Sequence, residues 1–149
     1  AGVVGHGNFG PCIVWNDAVS CFATPSYYMQ KMLFTENQGT RILPFSQNLT
    51  HCYCSATIDN QSGRNDILIK VANNSDFPES VNITLKGAGN VGTDGHSLTL
   101  SGLPEYENTL DNPTKVVPSE GRFVAGNSCI YSFPAWSVSV LRIHLMNGK

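Results

Sequence analysis

The chain has 149 residues and a formal net charge of −2, and charged side chains make up only 13% of it. That share is about half the usual value of roughly 25%, so uncharged polar residues supply most of the polarity. The composition excludes a coiled coil, an acidic tail and a basic nucleic-acid-binding protein, and no apolar run is long enough for a membrane span. A hydrophobic fraction of 41% is sufficient for a globular fold with a real core.

Four Asn-x-Ser/Thr sequons lie within residues 48–84, and their acceptor residues are Asn48, Asn60, Asn73 and Asn82. So many sequons in a short stretch of a chain poor in charge favour a secreted, extracellular protein that carries N-glycans. The alternative is a cytosolic protein whose Asn residues lie in turns. The chain begins at Ala1 and has no signal-peptide pattern, so we interpret it as a mature or internally cleaved product.

Five cysteines are present, namely Cys12, Cys21, Cys52, Cys54 and Cys129. Secretion predicts disulfides among them, with one thiol left over because the number is odd. Cys12 could pair with Cys21, and Cys129 could pair with Cys52 or Cys54. His51 beside Cys52 and Cys54 suggests a metal site, but residues i and i+2 of a strand share one face and no second ligand pair follows. We therefore favour a buried or disulfide role there and expect no metal.

The first 40 residues predict one short strand, a loop and one helix. The strand covers residues 13–15, which are apolar and suited to a buried position. Thr24 is suited to the N-cap of the helix and Pro25 to its first position, and Gly39 lies beyond its end. An apolar stripe with i, i+4 spacing defines the core-facing side: Tyr28 with Met32, and Met29 with Leu33. A single strand and helix cannot form a domain alone, because both need partners.

After residue 40 the apolar period changes to two, which predicts antiparallel strands with one face buried. At least six strands are expected, around residues 52–58, 67–71, 81–85, 97–101, 129–133 and 136–145. Asn82 then points to solvent. The last strand changes phase, from Trp136, Val138 and Val140 to Leu141 and Ile143, so we expect a β-bulge near Val140. Turn residues separate the strands and predict a β-sandwich or barrel over residues 41–146.

The pattern Gly-x-Gly-x-x-Gly occurs at residues 5–10 and again at residues 87–92. In a dinucleotide site this pattern stands between a strand and a helix, whose amide groups hold the pyrophosphate. No helix is predicted after either copy, so we interpret both as loops and expect no cofactor.

No catalytic constellation is evident in the sequence. A Gly-x-Ser-x-Gly elbow is absent, and the four His residues are scattered. Most acidic residues fall in predicted turns, where carboxylates are usually solvated, and only Asp17 and Glu36 lie beside the strand and helix. Neither belongs to a recognisable pair of glycosidase carboxylates. We expect no catalytic residue in this chain.

Two segments carry a resemblance to glycoside hydrolase family 51, the α-L-arabinofuranosidases. Residues 12–17, Cys-Ile-Val-Trp-Asn-Asp, and residues 23–34, Ala-Thr-Pro-Ser-Tyr-Tyr-Met-Gln-Lys-Met-Leu-Phe, resemble the last strand and helix of the catalytic barrel of that family. Residues 115–118, Lys-Val-Val-Pro, and residues 131–142, Tyr-Ser-Phe-Pro-Ala-Trp-Ser-Val-Ser-Val-Leu-Arg, are similar to its closing segment.

The resemblance implies a mainly β chain: a jelly-roll-like antiparallel β-sandwich over residues 41–149, preceded over residues 1–40 by the last β-strand and α-helix of a (β/α)8 barrel. Enzymes of the family remove terminal arabinofuranosyl residues with retention, using two Glu on barrel strands. The resemblance places this chain after both of them, so no catalytic role is transferred.

The implied role is to complete the barrel and pack a sandwich on it, as the non-catalytic C-terminal portion of a secreted enzyme. The implied partners are a larger chain that carries the catalytic barrel and, through it, arabinan or arabinoxylan of plant cell walls. Two alternatives stay open. One is a carbohydrate-binding sandwich with Trp15 or Trp136 as sugar platforms, although both lie in apolar runs typical of a core. The other is a non-enzymatic secreted glycoprotein.

Overall fold

The computed structural model describes residues 14–16, 20–35, 37–61 and 63–146. Within these residues it contains ten strands, one α-helix and one π-helical segment. The strands are β1 Val14–Asn16, β2 Cys21–Ala23, β3 Arg41–Ile42, β4 Cys52–Asp59, β5 Asp66–Asn73, β6 Glu79–Thr84, β7 Val91–Ser101, β8 Ser119–Val124, β9 Ser128–Phe133 and β10 Ser137–Leu145. Helix α1 spans Pro25–Gln30 and continues as the π-helical segment Lys31–Thr35.

The strands form one large sheet and two small ones, and every pairing is antiparallel. The large sheet has six strands in the order β3-β4-β5-β10-β7-β8, the second sheet pairs β6 with β9, and the third is the β1-β2 hairpin. The six-stranded sheet and the β6-β9 sheet pack face to face. The expected antiparallel β-sandwich is therefore confirmed.

The core between these two sheets is built by the alternation of β10 and its neighbours. Leu141 is fully buried and packs with Val71 of β5 and Phe133 of β9. Ile143 continues the same face with Ile67 of β5. Because residues two apart on a strand share a face, one phase of β10 supplies this inner layer.

The other phase of β10 is buried as well, because α1 covers the outer face of the same sheet. Val140 and Leu100 pack there with Met32, which is only 1% exposed. The expected β-bulge near Val140 is absent: β10 keeps one register against β5 from Ser137 to His144. Both sets of alternating apolar residues occur because β10 is a central strand that is buried on both faces. Sequence periodicity alone cannot distinguish such a strand from a strand that contains a bulge.

Helix α1 begins as the sequence predicts. The Thr24 side chain accepts a hydrogen bond from the backbone amide of Tyr27, and Pro25 occupies the first turn. The predicted loop before the helix instead contains β2, which pairs with β1. The edge strands β3 and β8 were also not predicted, because β3 is only two residues long and β8 lacks a regular apolar alternation.

Candidate interdomain surface

The outer face of the six-stranded sheet holds the α1 unit by its C-terminal end. The last carbonyl groups of a helix lack partners inside the helix, so they need donors from elsewhere. The carbonyl oxygen of Met32 accepts from Asn37 Nδ2 at 2.8 Å, and that of Leu33 accepts from Lys70 Nζ at 2.7 Å. The carbonyl of Phe34 accepts from Gln38. Lys70 belongs to β5, so the sheet itself supplies one of these donors.

Arg142 connects this helix end to a charged cluster on the sheet. Its Nη2 donates to Asn37 Oδ1 at 3.2 Å, while its Nη1 donates to Asp66 at 2.7 Å and to Asp59 at 3.3 Å. His144 Nδ1 lies 2.8 Å from the second oxygen of Asp66. Both carboxylates are largely buried, with side chains 7% and 10% exposed for Asp59 and Asp66. We name Asp59, Asp66, Arg142, Asn37 and Lys70 the helix clamp.

The electrostatics of the helix clamp agree with its geometry. Burial alone would raise the pKa of the Asp66 carboxyl, but hydrogen bonds and charge from His144 and Arg142 outweigh it and leave that pKa below its ordinary value. Burial lowers the pKa of the Lys70 ammonium, since desolvation disfavours its charged form. The end of the helical unit therefore faces the ammonium group of Lys70 and the two carboxylates that Arg142 bridges, rather than bulk water.

A second connection ties the start of the helical unit to the long loop between β7 and β8. Asn108 is only 4% exposed, and its Nδ2 donates to the carbonyl oxygens of Ala23 at 2.8 Å and Val116 at 2.9 Å. The amide of Val116 returns a 2.7 Å bond to Asn108 Oδ1. Ala23 ends β2, directly before the N-cap of α1. Both ends of the helical unit are thus bonded to the sandwich.

The β1-β2 hairpin and the helical unit expose large apolar groups. Trp15 on β1 is 42% exposed and stacks on Phe22 with ring centroids 6.4 Å apart, and Phe34 is 64% exposed. The expected core position of Trp15 is thus wrong for the described chain, whereas Trp136 is half-buried.

The candidate sites named from the sequence have different outcomes. Asn48, Asn60 and Asn82 are exposed, so each could carry a glycan. Asn73 is only 3% exposed, its Nδ2 donates to three carbonyl oxygens, and its Oδ1 accepts from Ser75. A glycan on this nitrogen would replace those bonds, so the predicted acceptor role of Asn73 is incompatible with this fold.

The described cysteines are free thiols: Cys21, Cys52, Cys54 and Cys129. The expected disulfide between Cys129 and Cys52 or Cys54 is therefore not formed. Burial raises the pKa of the Cys52, Cys54 and Cys129 thiols, and neighbouring negative charge adds to the rise for Cys52 and Cys54. Within the described ranges no cluster of three metal-ligating side chains occurs, and no helix is long and apolar enough to cross a membrane.

Four predictions lie outside the described residues: the roles of Cys12, Asp17 and Glu36, and the loop at residues 5–10. In the second glycine-rich segment, residues 87–90 lie in the loop between β6 and β7, and residues 91–92 begin β7. Gly87 and Gly89 both adopt positive φ there, at 73° and 69°, a backbone conformation that glycine tolerates without strain. No helix follows, so the dinucleotide interpretation is excluded for this copy.

The sequence pattern does not predict the helix clamp. A signal was present, because Lys70 lies between Ile69 and Val71 and Arg142 lies between Leu141 and Ile143. In a buried strand such a cation needs a partner, but the partner of each lies far away in the sequence.

Comparison with known proteins decides the family. A family model described as "Alpha-L-arabinofuranosidase C-terminal domain" matches residues 1–137. The chain belongs to this family. No curated protein matches it.

Solved structures agree with this fold. The arabinose-bound MgGH51 α-L-arabinofuranosidase is 28% identical over 93% of this chain, with a TM-score of 0.84. The enzymes from Thermotoga maritima, 20% identical over 90% of the chain with a TM-score of 0.75, and Bifidobacterium longum, 17% identical over 89% with a TM-score of 0.64, share the fold. The chain spans only 22%, 32% and 28% of these three proteins respectively.

Proposed function

We propose that this chain is the non-catalytic C-terminal portion of a secreted glycoside hydrolase that removes terminal α-L-arabinofuranosyl residues from arabinan or arabinoxylan with retention. The family match over residues 1–137 carries the proposal. It is supported by the likeness to an arabinose-bound α-L-arabinofuranosidase, of which the chain covers 22%. The catalytic carboxylates and the remainder of the barrel belong, in this proposal, to the larger part of the enzyme.

The role of the chain is to complete the barrel and anchor it. The β1 strand and α1 close the barrel wall, and the exposed Trp15 and Phe34 pack against neighbouring barrel elements. The helix clamp holds the end of α1 on the sandwich, through Lys70 Nζ at 2.7 Å from the Leu33 carbonyl and through Arg142. These part-buried hydrogen bonds would be broken if α1 left the sheet, so the sandwich and α1 act as one body.

The test compares the whole polypeptide with the isolated chain. We expect the whole polypeptide to hydrolyse 4-nitrophenyl α-L-arabinofuranoside and to release arabinose from arabinan or arabinoxylan. The isolated 149-residue chain should be inactive on the same substrates. Nuclear magnetic resonance of the first product formed should show retention of the anomeric configuration. A whole polypeptide without arabinofuranosidase activity, or with the inverted product, would contradict the proposal.

A carbohydrate-binding role is the second candidate, favoured by the exposure of Trp15 at 42%. Sugar rings stack on exposed indole faces, so this role predicts quenching or a shift of Trp fluorescence on titration with arabinan or xylan oligosaccharides. Trp15→Ala should abolish the change and Trp136→Ala should retain it. An unchanged spectrum of the original chain at millimolar oligosaccharide would exclude this role.

A further inference from the structure

A long loop of the sandwich is fixed around one buried side chain. Residues 102–118 join β7 to β8, and the structure assigns neither helix nor strand to them. Loops of this length inside a compact domain are uncommon and usually have a function. Asn108 within this loop is only 4% exposed, and Val116 is buried in one apolar cluster with Met32 of the helical unit. The loop is therefore ordered by buried contacts although it lacks regular structure.

The hydrogen bonds of Asn108 divide into two sets. Its Oδ1 accepts from the Val116 amide at 2.7 Å and its Nδ2 donates to the Val116 carbonyl at 2.9 Å, so these two bonds close the loop on itself. A side-chain amide has a second N–H group, and here it donates to the carbonyl oxygen of Ala23 at 2.8 Å. Ala23 lies 85 positions earlier in the chain. One side chain therefore organises the loop and joins it to a distant segment.

The distant segment is the corner at which the β1-β2 hairpin turns into α1. Ala23 ends β2 and pairs with Val14 of β1, and Thr24 is the N-cap of the helix. A two-stranded hairpin is at best marginally stable in water, and the strands of this one have only three residues each. The bond from Asn108 therefore fixes the base of the hairpin to the sandwich.

We propose that Asn108 is a positioning residue for the substrate site of the enzyme, because it holds the β1-β2 hairpin in place. This inference rests on the proposed function, which makes β1 the last strand of a (β/α)8 barrel and the hairpin part of the connection to α1. In such barrels the connections that follow the strands build the substrate site, whereas the opposite face of the barrel contributes to stability. Asn108 itself contacts no reacting atom and acts through the hairpin.

Asn37 offers a matched control at the other end of the helical unit. It is also buried, at 7% exposure, and its Nδ2 donates to the Met32 carbonyl at 2.8 Å. Asn37→Ala and Asn108→Ala therefore both remove a buried side-chain amide that bonds to a carbonyl group of this unit. Asn37 follows the π-helical segment, so its bond lies at the end away from the hairpin.

Steady-state kinetics of the whole polypeptide on 4-nitrophenyl α-L-arabinofuranoside separate positioning from stability. We expect Asn108→Ala to raise KM about fivefold or more, because a displaced hairpin binds the substrate less well. Asn37→Ala should leave KM within about twofold of the original value. A loss of folded enzyme lowers the apparent kcat and leaves KM unchanged, because it changes the number of active sites and not their affinity. An unchanged KM in Asn108→Ala, or an equal rise in both variants, would overturn the proposal.

Amide hydrogen exchange gives a readout that does not depend on activity. Exchange at residues 21–23 should be about tenfold or more faster in Asn108→Ala than in the original polypeptide, and unchanged exchange there would also overturn the proposal. If Asn108→Ala does not fold, Asn108→Asp takes its place under the same criteria, because it keeps the acceptor for the Val116 amide and lacks the donor to Ala23. Faster exchange in a polypeptide without arabinofuranosidase activity would refute the proposed function and leave the attachment of the hairpin by Asn108 standing.

Discussion

The ammonium group of Lys70 lies 2.7 Å from the carbonyl oxygen of Leu33, joining the middle of β5 to the π-helical segment after α1. The two residues are 37 positions apart in the chain. Their contact places a cation at the negative end of a helical unit, where the last carbonyls lack internal partners. The position of the helix therefore depends on a residue of the sheet as well as on the helix itself.

Replacing Lys70 by Met should loosen this junction. The substitution keeps most of the aliphatic stem but leaves the Leu33 carbonyl without its charged donor, at a cost of about 1–3 kcal/mol. Urea unfolding should show this loss, and amide exchange should accelerate within residues 31–35. The exposed Lys86 offers a matched control, because Lys86→Met should change the free energy of unfolding by less than about 0.5 kcal/mol. Equal stability of the two variants would show that the contact contributes nothing.

Asp66 should make the stability of the chain depend on acid pH. The folded pKa of its carboxyl lies below the ordinary value, because bonds from His144 and Arg142 outweigh the opposing effect of burial. A lowered folded pKa gives stability that is fully present above the unfolded pKa near 4 and is lost as pH falls through the folded value.

The Asp66→Asn variant should therefore be less stable than the original chain by about 1–3 kcal/mol at neutral pH. The difference should shrink as pH falls below about 4, because the Asp66 carboxyl becomes protonated first in the unfolded chain and at lower pH in the folded chain. Urea unfolding at a series of pH values measures both effects. Asp76→Asn changes an exposed carboxylate in the same way and serves as the control. A difference between Asp66→Asn and the original chain that stays constant down to pH 2 would contradict this account.

Asn73 should be among the most sensitive polar positions. Its side chain bonds to the carbonyl oxygens of Phe77, Phe133 and Pro134 and accepts from Ser75, joining β5 to the segment after β9. Asn73→Ala leaves several buried groups without partners, and we expect a loss of about 3 kcal/mol or more in thermal or urea unfolding. Asn74→Ala, one residue further along at an exposed position, should cost little. Similar losses in both variants would argue against this role of Asn73.

The same burial predicts the pattern of glycosylation. When the polypeptide is expressed through a secretory pathway, glycopeptide mass spectrometry should find glycans at Asn48, Asn60 or Asn82 and an unmodified Asn73. The physical reason is that Nδ2 of Asn73 already donates to three carbonyl oxygens in the folded chain. A folded, stable protein with a glycan on Asn73 would contradict the packing described above.

Thiol reactivity should separate the cysteines by exposure. Cys21 is exposed, whereas Cys52 and Cys129 are 2% and 8% exposed and burial raises the pKa of both thiols. Iodoacetamide reacts with the thiolate, so peptide mapping of the native protein should find Cys21 alkylated at least ten times faster than the other two. All three should react at similar rates in denaturant. Rapid alkylation of Cys129 in the native state would show that β9 opens readily.

The sequence alone determined the features that depend on neighbouring residues in the chain. Thr24 and Pro25 marked the start of α1 because capping is a local interaction, and the alternation around Ile83 marked β6 because a strand turns one face inward. Only the tertiary structure decided which faces were covered. Val140 is buried by α1 rather than shifted by a bulge, and Asn73 lies inside rather than on the surface. Burial and buried hydrogen bonds are set by partners distant in the sequence, as Lys70 and Leu33 show, so no local pattern could have assigned them.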